Sequence, residues 1–251
     1  MPVRALMPVR ALMRDRELMR DRDCLVVMAR RPEAGTTKTR LGQCIGDSAA
    51  ARLYEAFLLD TLAVCGDGDA AVMISYAPAT ADAAAYMGRI APDAMLAPQP
   101  DVDFGARLAG AMQVAFDRGY ARVAVIGSDI PHMSGAWIED AFAGLEQHDV
   151  EIGPTRDGGY YLLALGVPQP GLFEGIDWST GLELGQTLER AAEFGLDVAF
   201  VETTFDVDDV GDLVSLREHI AANGTVGCPR TAAVLATIDV SAGAAPAMRG
   251  Q

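Results

Sequence analysis

Half of the 251 residues are hydrophobic and 6% are aromatic, which suits a globular α/β protein with one large core. The formal charge of −15 argues against a nucleic-acid partner, because such binding draws on clustered Lys and Arg, yet leaves room for a small anionic ligand held by a few local cations. No apolar run reaches the roughly 20 residues of a membrane span, no signal-peptide core opens the chain, and Cys24, Cys44, Cys65 and Cys228 lack any C-x-x-C or zinc spacing, so a cytoplasmic protein with free thiols is expected.

The chain opens on a tandem hexapeptide, "MPVRALMPVRAL", followed by the near-repeat "MRDRELMRDRD"; neither can bury a core, and residues 1–22 are predicted to be a disordered leader. "CLVVMA" from Cys24 is the first strand. Ser48 is placed to cap a helix running through Val64 with Leu53, Phe57 and Leu58 inward, and "AAVMISY" is the second strand. Asp103 caps a helix carrying Phe104, Leu108, Met112 and Phe116, and "RVAVIG" from Arg122 is apolar enough for a central strand. A helix from Ser134 to Gln147 precedes "VEIGPTRDGGYYLLAL", two strands around a Gly-Gly turn. "DVAFV" is a strand, and "DVDDVGDLVSLREHI" an acidic loop and a last helix. The order βαβαβαβ with a later, partly antiparallel insertion predicts one α/β domain over 23–222, and the pattern-poor residues 223–251 read as a loosely ordered tail.

In open α/β sheets ligands sit beyond the carboxyl ends of the strands, so the loops after strands are the places to look. The first, "RPEAGTTKTRL", holds Lys38, the only lysine in the chain. Gly35, Thr36 and Thr37 give backbone N–H groups room to face phosphate oxygens, and Lys38 and Arg40 supply charge. It is neither a P-loop nor a G-x-G-x-x-G turn; the alternative is a solvated basic turn. "IGSDIP" places Asp129 at the end of the central strand, where Mg2+ would explain a carboxylate, the alternative being a helix cap before Pro131. In "FDVDDVGDL" most of Asp206, Asp208, Asp209 and Asp212 are expected to be solvated or capping, with Asp208 the one chosen to complete a metal site.

"RDGGYYLLAL" offers Asp157, two glycines that permit close approach, Gly158 and Gly159, and Tyr160 and Tyr161 on opposite faces of a strand, one of them core. Trp178 in "DWST" either stacks on a sugar or base or is a packing residue, with Ser179 or Thr180 a helix cap. His132, His148 and His219 are scattered, and none is given a catalytic role.

Together "PEAGTTKTRL", "FGARL", "IGSDIP", "DGGYYLLAL", "WST" and "DVDDVGDL" resemble a bacterial family of GT-A-like proteins with the nucleotide-diphospho-sugar transferase fold. These are the transferases associated with radical-SAM and selenodomain gene neighbourhoods, usually labelled glycosyltransferases, and the resemblance runs from about Cys24 to Ala222. The loops are also similar to those of phospholactate guanylyltransferases and, more distantly, of molybdenum-cofactor and sugar nucleotidyltransferases. The resemblance implies a single-domain, three-layer α/β fold whose mostly parallel mixed sheet is flanked by helices. It further implies Mg2+ (or Mn2+) on Asp129 and Asp208, nucleotide phosphates on Gly35, Thr36, Thr37, Lys38, Arg40 and Arg107, and an acceptor on Gly158, Gly159, Tyr160 and Trp178. Lys38, Asp129 and Asp157 become the catalytic candidates. The chain departs from the D-x-D of glycosyltransferases, having "GSD", and from "D-T-P-E-D-L", having Asp209, Val210 and Gly211 in place of Thr, Pro and Glu. The implied partners are a nucleotide sugar or a nucleoside triphosphate and a small acceptor. Glycosyl transfer ranks ahead of nucleotidyl transfer, and both ahead of a non-catalytic nucleotide-binding protein.

Overall fold

The computed structural model describes residues 23–238; the repeat-bearing leader 1–22 and the end of the chain, 239–251, lie outside the described residues. In chain order the elements are β1 (Asp23–Arg30), α1 (Thr39–Ile45), α2 (Asp47–Asp67), β2 (Ala71–Ala77), α3 (Ala81–Ile90), β3 (Met95–Pro98), α4 (Phe104–Asp117) and β4 (Arg122–Ile126). There follow α5 (Gly135–Gly144), β5 (Val150–Pro154), β6 (Tyr160–Leu165), a 3-10 turn over Pro170–Phe173, α6 (Glu183–Glu193), β7 (Val198–Phe200), α7 (Val210–Asn223) and α8 (Pro229–Leu235).

The strands form one seven-stranded sheet in the order β3-β2-β1-β4-β6-β5-β7. β6 runs antiparallel to β4 and β5, and the other pairs are parallel. Period-two alternation sorts β1 between the faces. Val26 and Met28 join Leu108 and Met112 of α4 and Ala191 of α6, whereas Leu25 and Val27 face Ile138 and Phe142 of α5. Ile74 and Tyr76 of β2 bury Tyr86 and Met87 of α3. A further cluster joins Leu53 and Phe57 of α2 to Leu213 and Leu216 of α7 and Leu235 of α8. This is the expected α/β architecture of a mostly parallel mixed sheet flanked by helices. The chain steps outward from β1 to β3 and then crosses back to β4, so the loops after β1 and β4 open into one crevice at the reversal of strand order.

Several predicted boundaries move. α2 starts at Asp47 behind Gly46, not behind Ser48, because the short helix α1 fills the preceding loop. α3, capped by the Thr80 hydroxyl on the Ala83 N–H at 3.2 Å, and the four-residue β3 have no counterpart among the predicted elements. The helix before β5 ends at Gly144 instead of Gln147. Neither Ser179 nor Thr180 caps α6, since a left-handed Ser179 (φ 64°) and Gly181 (φ 80°) turn the chain first and Leu182 is the N-cap. The expected loose tail from 223 onward is corrected in part: α8 packs on α2 because the buried carboxylate of Asp60 accepts the N–H groups of Arg230 (3.2 Å) and Thr231 (2.7 Å). All four cysteines are free thiols. Among the described residues no helix is long and apolar enough to cross a membrane.

Candidate active site

The crevice is organised around Lys38. The loop after β1 tightens as the Thr36 and Thr37 N–H groups both donate to the Glu33 carbonyl, at 3.2 and 3.1 Å. Those two amides are therefore engaged within the turn, and the expectation that they face phosphate oxygens is not met. The Thr37 hydroxyl is taken up similarly, accepting from the Glu33 N–H and donating to the Arg31 carbonyl. Lys38 then adopts a left-handed conformation (φ 50°) that turns its side chain into the protein. Its Nζ lies 2.7 Å from Asp129 Oδ1 and 2.7 Å from Asp208 Oδ1, with the lysine side chain 6% exposed. The first loop is thus not a solvated basic turn. Burial by itself would lower the Lys38 pKa, but the charges and hydrogen bonds of Asp129 and Asp208 outweigh it and hold the ammonium protonated well above its ordinary value.

Asp129 and Asp208 are held by different devices that meet. Asp129 follows β4 and caps no helix, since Ser134 does that for α5; its carbonyl accepts the Val207 N–H at 3.0 Å, tying the two acidic loops together. Asp212 Oδ2 accepts the N–H groups of Asp208 and Asp209 (both 2.9 Å), while Asp209 Oδ1 accepts those of Gly211 and Asp212. This capping box starts α7 and sets the turn that presents Asp208. In this chain, then, Asp209 and Asp212 start the helix where the "D-T-P-E-D-L" pattern is departed from.

A cavity of about 510 Å3 opens in front of this trio. Arg30, Lys38, Arg40 and Arg107 bring four cations to its wall, against the carboxylates of Asp129 and Asp208, so a chain of net charge −15 carries a locally cationic pocket. Arg40 is largely exposed, 4.0 Å from Asp208. Arg107 lies over the Phe104 ring and reaches Gln99 Oε1 at 3.4 Å, while its buried Nε has no partner among the described residues. Gly35 turns the loop at φ 79° but is not part of the cavity wall.

Three wall residues carry no local signal in the sequence. Tyr54 of α2, buried, bonds to Ser128 Oγ at 2.8 Å and accepts the Arg30 N–H at 2.9 Å. Ser128 donates to the Met28 carbonyl at 3.1 Å, which braces β4 against β1 behind Asp129. Gln99, also buried, donates to the Ser75 carbonyl at 2.7 Å. Ser179 belongs with them: it and Lys38 are the two non-glycine residues with positive φ among the described residues, and both face this cavity. Such conformations gather where a site requires them.

A second cavity, of about 240 Å3, shares Met28, Phe104, Gly127, Asp129 and Ser179 with the first. Here lie Asp157, Gly159, Tyr160 and Trp178, along with Asp206 and Glu183. Trp178 stands edge-on to Phe104 (5.0 Å between centroids) and to Tyr160 (6.1 Å). Tyr161 is the core tyrosine, 5% exposed, donating to the Glu202 carbonyl. The close approach that Gly158 (φ 95°) permits is to this chain's own Gly181, whose carbonyl oxygen would lie 2.1 Å from a Cβ at Gly158. Gly105 has a similar role in "FGARL", where a Cβ would meet the Phe173 carbonyl oxygen at 2.4 Å. Burial, then the charges of Asp157 and Asp208, push the Asp206 carboxyl up to about 6.

His132 lies behind the site, 6% exposed and stacked on Phe205 at 4.4 Å. Its Nε2 pairs with Thr204 Oγ1 at 2.9 Å, and its Nδ1 has no partner among the described residues.

As for a metal, Asp129 and Asp208 are two hard oxygen donors on neighbouring loops, each about two-fifths exposed. Among the described residues no group of three or more His, Cys, Asp or Glu could cage an ion. A pair of carboxylates facing a cavity suits Mg2+ or Mn2+, which fill the rest of an octahedron with water and substrate phosphates.

The family described as an uncharacterized protein conserved in bacteria (DUF2064) matches residues 59–180. Among solved structures, a protein of Desulfovibrio desulfuricans G20, assigned provisionally as a nucleotide-diphospho-sugar transferase, is 33% identical with a TM-score of 0.79, over 86% of this chain and 97% of that one. A nucleotidyl transferase from Methanothermobacter thermautotroptrophicus shares the fold at 16% identity and a TM-score of 0.52, over 79% of this chain and 98% of that one. So does 4-diphosphocytidyl-2C-methyl-D-erythritol synthase from Anaerococcus prevotii DSM 20548, at 10% identity and a TM-score of 0.51, over 81% and 99%. No curated protein sequence matches the chain.

Proposed function

The chain belongs to the bacterial DUF2064 family, in the nucleotide-diphospho-sugar transferase fold, and from that premise we propose that it transfers a sugar from a nucleotide-diphospho-sugar to a small acceptor. The observation that carries this reading is the Lys38 ammonium, buried between Asp129 and Asp208 at the wall of a four-cation cavity. Two of the three N–H donors of Lys38 face carboxylates, leaving the third for a phosphate oxygen. Arg40 and Arg107 stand on the same wall to hold the rest of a diphosphate, the unpartnered Nε of Arg107 being a donor that lacks an acceptor. Asp129 and Asp208 would hold Mg2+ or Mn2+, which when bound neutralises charge on the diphosphate leaving group.

Asp129 and Ser179 line both cavities, so a sugar whose diphosphate lies in the larger has its anomeric carbon near the smaller. An acceptor against Gly159, Tyr160 and Trp178 presents its hydroxyl there. Asp157 takes the hydroxyl proton as the oxygen bonds to the anomeric carbon. The bond from that carbon to the diphosphate breaks, and its electron pair stays on the phosphate oxygen, where Lys38 and the arginines meet it.

Nucleotidyl transfer is the second reading, favoured by four cations that would also suit a triphosphate. It needs a phosphorylated acceptor, and no Arg or Lys lines the smaller cavity. Thermal stabilisation by panels of nucleotide sugars and nucleoside triphosphates with Mg2+ separates the two. Stabilisation by a nucleotide sugar is expected; a response to triphosphates alone would transfer the assignment to the second reading, and no response to either panel would refute both.

A further inference from the structure

The smaller cavity is lined by charge of one sign only, opposite to the excess on the wall of the larger. Asp157, Glu183 and Asp206 line it together with the shared Asp129, and its wall contains no Arg or Lys. Glu183 is the informative member. It is 93% buried, since 7% of it is exposed, and its Oε1 accepts the Thr180 N–H at 2.8 Å. That bond explains why a glutamate opens α6, but Oε2 is buried with no partner among the described residues. A buried carboxylate oxygen without a donor is costly, so the cavity holds an acceptor atom waiting for a donor and a negative charge waiting for its complement. Aromatic rings line the same cavity: Trp178 stands edge-on to both Phe104 and Tyr160, and aromatic rings beside carboxylates attract an organic cation. These carboxylates form no metal cage among the described residues.

We propose that the acceptor is cationic: a small hydroxyl-bearing molecule whose primary ammonium group donates to Glu183 and packs against Trp178. This rests on the glycosyl-transfer reading for the role of the hydroxyl, whereas the preference for positive charge follows from the cavity itself. A neutral polyol would satisfy Oε2 but leave the clustered negative charge uncompensated, and a phosphorylated or carboxylated molecule would be repelled.

Glucose, glucosamine and glucose 6-phosphate share one carbon frame and differ in charge, so they serve as probes. Calorimetric titration of the full chain at about pH 6.5, where the amine is protonated, should give glucosamine about tenfold tighter than glucose, the size of one charge-assisted hydrogen bond, with glucose 6-phosphate weakest. Glu183→Gln should reduce the preference for glucosamine over glucose to below about threefold. If that variant fails to fold, Asp157→Asn, on an exposed turn, should lower the same ratio. Glucose or glucose 6-phosphate binding as well as glucosamine, no glucosamine binding, or an unchanged ratio in the folded variants would overturn the proposal. A nucleotide-panel failure with the glucosamine preference intact would refute the glycosyl reading and leave the cationic cavity preference standing.

Discussion

At the scale of single residues, Lys38 combines a left-handed backbone, near-complete burial and two carboxylate partners, conditions an arginine would meet poorly. The guanidinium is planar and larger than an ammonium, and its fork cannot sit between two oxygens on separate loops without moving one of them. Lys38→Arg should therefore weaken nucleotide-sugar affinity by about 1–3 kcal/mol and also lower the melting temperature of the ligand-free protein. Titration of the variant at wild-type affinity would show that the slot tolerates the larger head. Asp129→Asn keeps the shape and loses the charge. Activity should fall far more than stability, which should drop by about 1 kcal/mol or less because Asp129 is partly exposed. Excess EDTA should mimic the variant, and full turnover in the chelator would exclude a divalent ion. Lys38, Asp129 and Asp208 could be singled out from the sequence because each stands out locally: a lone lysine, an acid ending an apolar strand, an acidic run. Their meeting at one ammonium could not, since it depends on the Val207 N–H to Asp129 carbonyl bond between distant segments. Tyr54 and Gln99 had no local signal at all, because a tyrosine in an apolar helix face and a glutamine after a short strand look like packing.

At the scale of elements, α8 is the most instructive. Seven residues, Pro229–Leu235, are too few for a stable isolated helix, and what holds them is a carboxylate in the middle of α2. Asp60 is fully buried and offers one oxygen to Arg230 and the other to Thr231, which also places negative charge at the positive end of α8. Asp60→Ala leaves both backbone donors unpaired, so it should destabilise the fold by about 2–4 kcal/mol in urea titration. A change below about 0.5 kcal/mol would mean that α8 contributes nothing. Strong local patterns read correctly: β1 and β4 by their apolar runs, α4 by the Asp103 cap that accepts from Ala106 at 2.9 Å, and the inward Leu53, Phe57 and Leu58. β3 is too short to show alternation, whereas α3 does carry a helix pattern in its sequence, a Thr80 cap followed by Ala83, Tyr86 and Met87 on one face.

At the scale of the whole molecule, charge is unevenly placed: four cations stand at the larger cavity against two carboxylates, and only carboxylates at the smaller, within a strongly acidic chain. Acid should expose a second global property. Burial foremost, then His219 and Arg156, hold the His132 pKa down to about 3 from an ordinary 6.5. The unfolded chain therefore takes up a proton near pH 6.5 that the folded chain refuses until about pH 3. The associated stability is complete above the higher value and is lost on acidification at up to about 1.4 kcal/mol per pH unit. His132→Asn, which can still bond to Thr204, should flatten the loss between about pH 6 and 4; parallel curves would mean that His132 protonates without unfolding. Finally, one lysine per molecule means one ε-amine, and it is held protonated between two acids. Acylating reagents attack only the neutral amine, so the unliganded protein should resist lysine-directed labelling that modifies surface lysines readily. A divalent ion that draws Asp129 and Asp208 away without itself covering Lys38 should unmask it. A single mass increment on the peptide bearing residue 38 would then report that displacement, before any substrate has been identified.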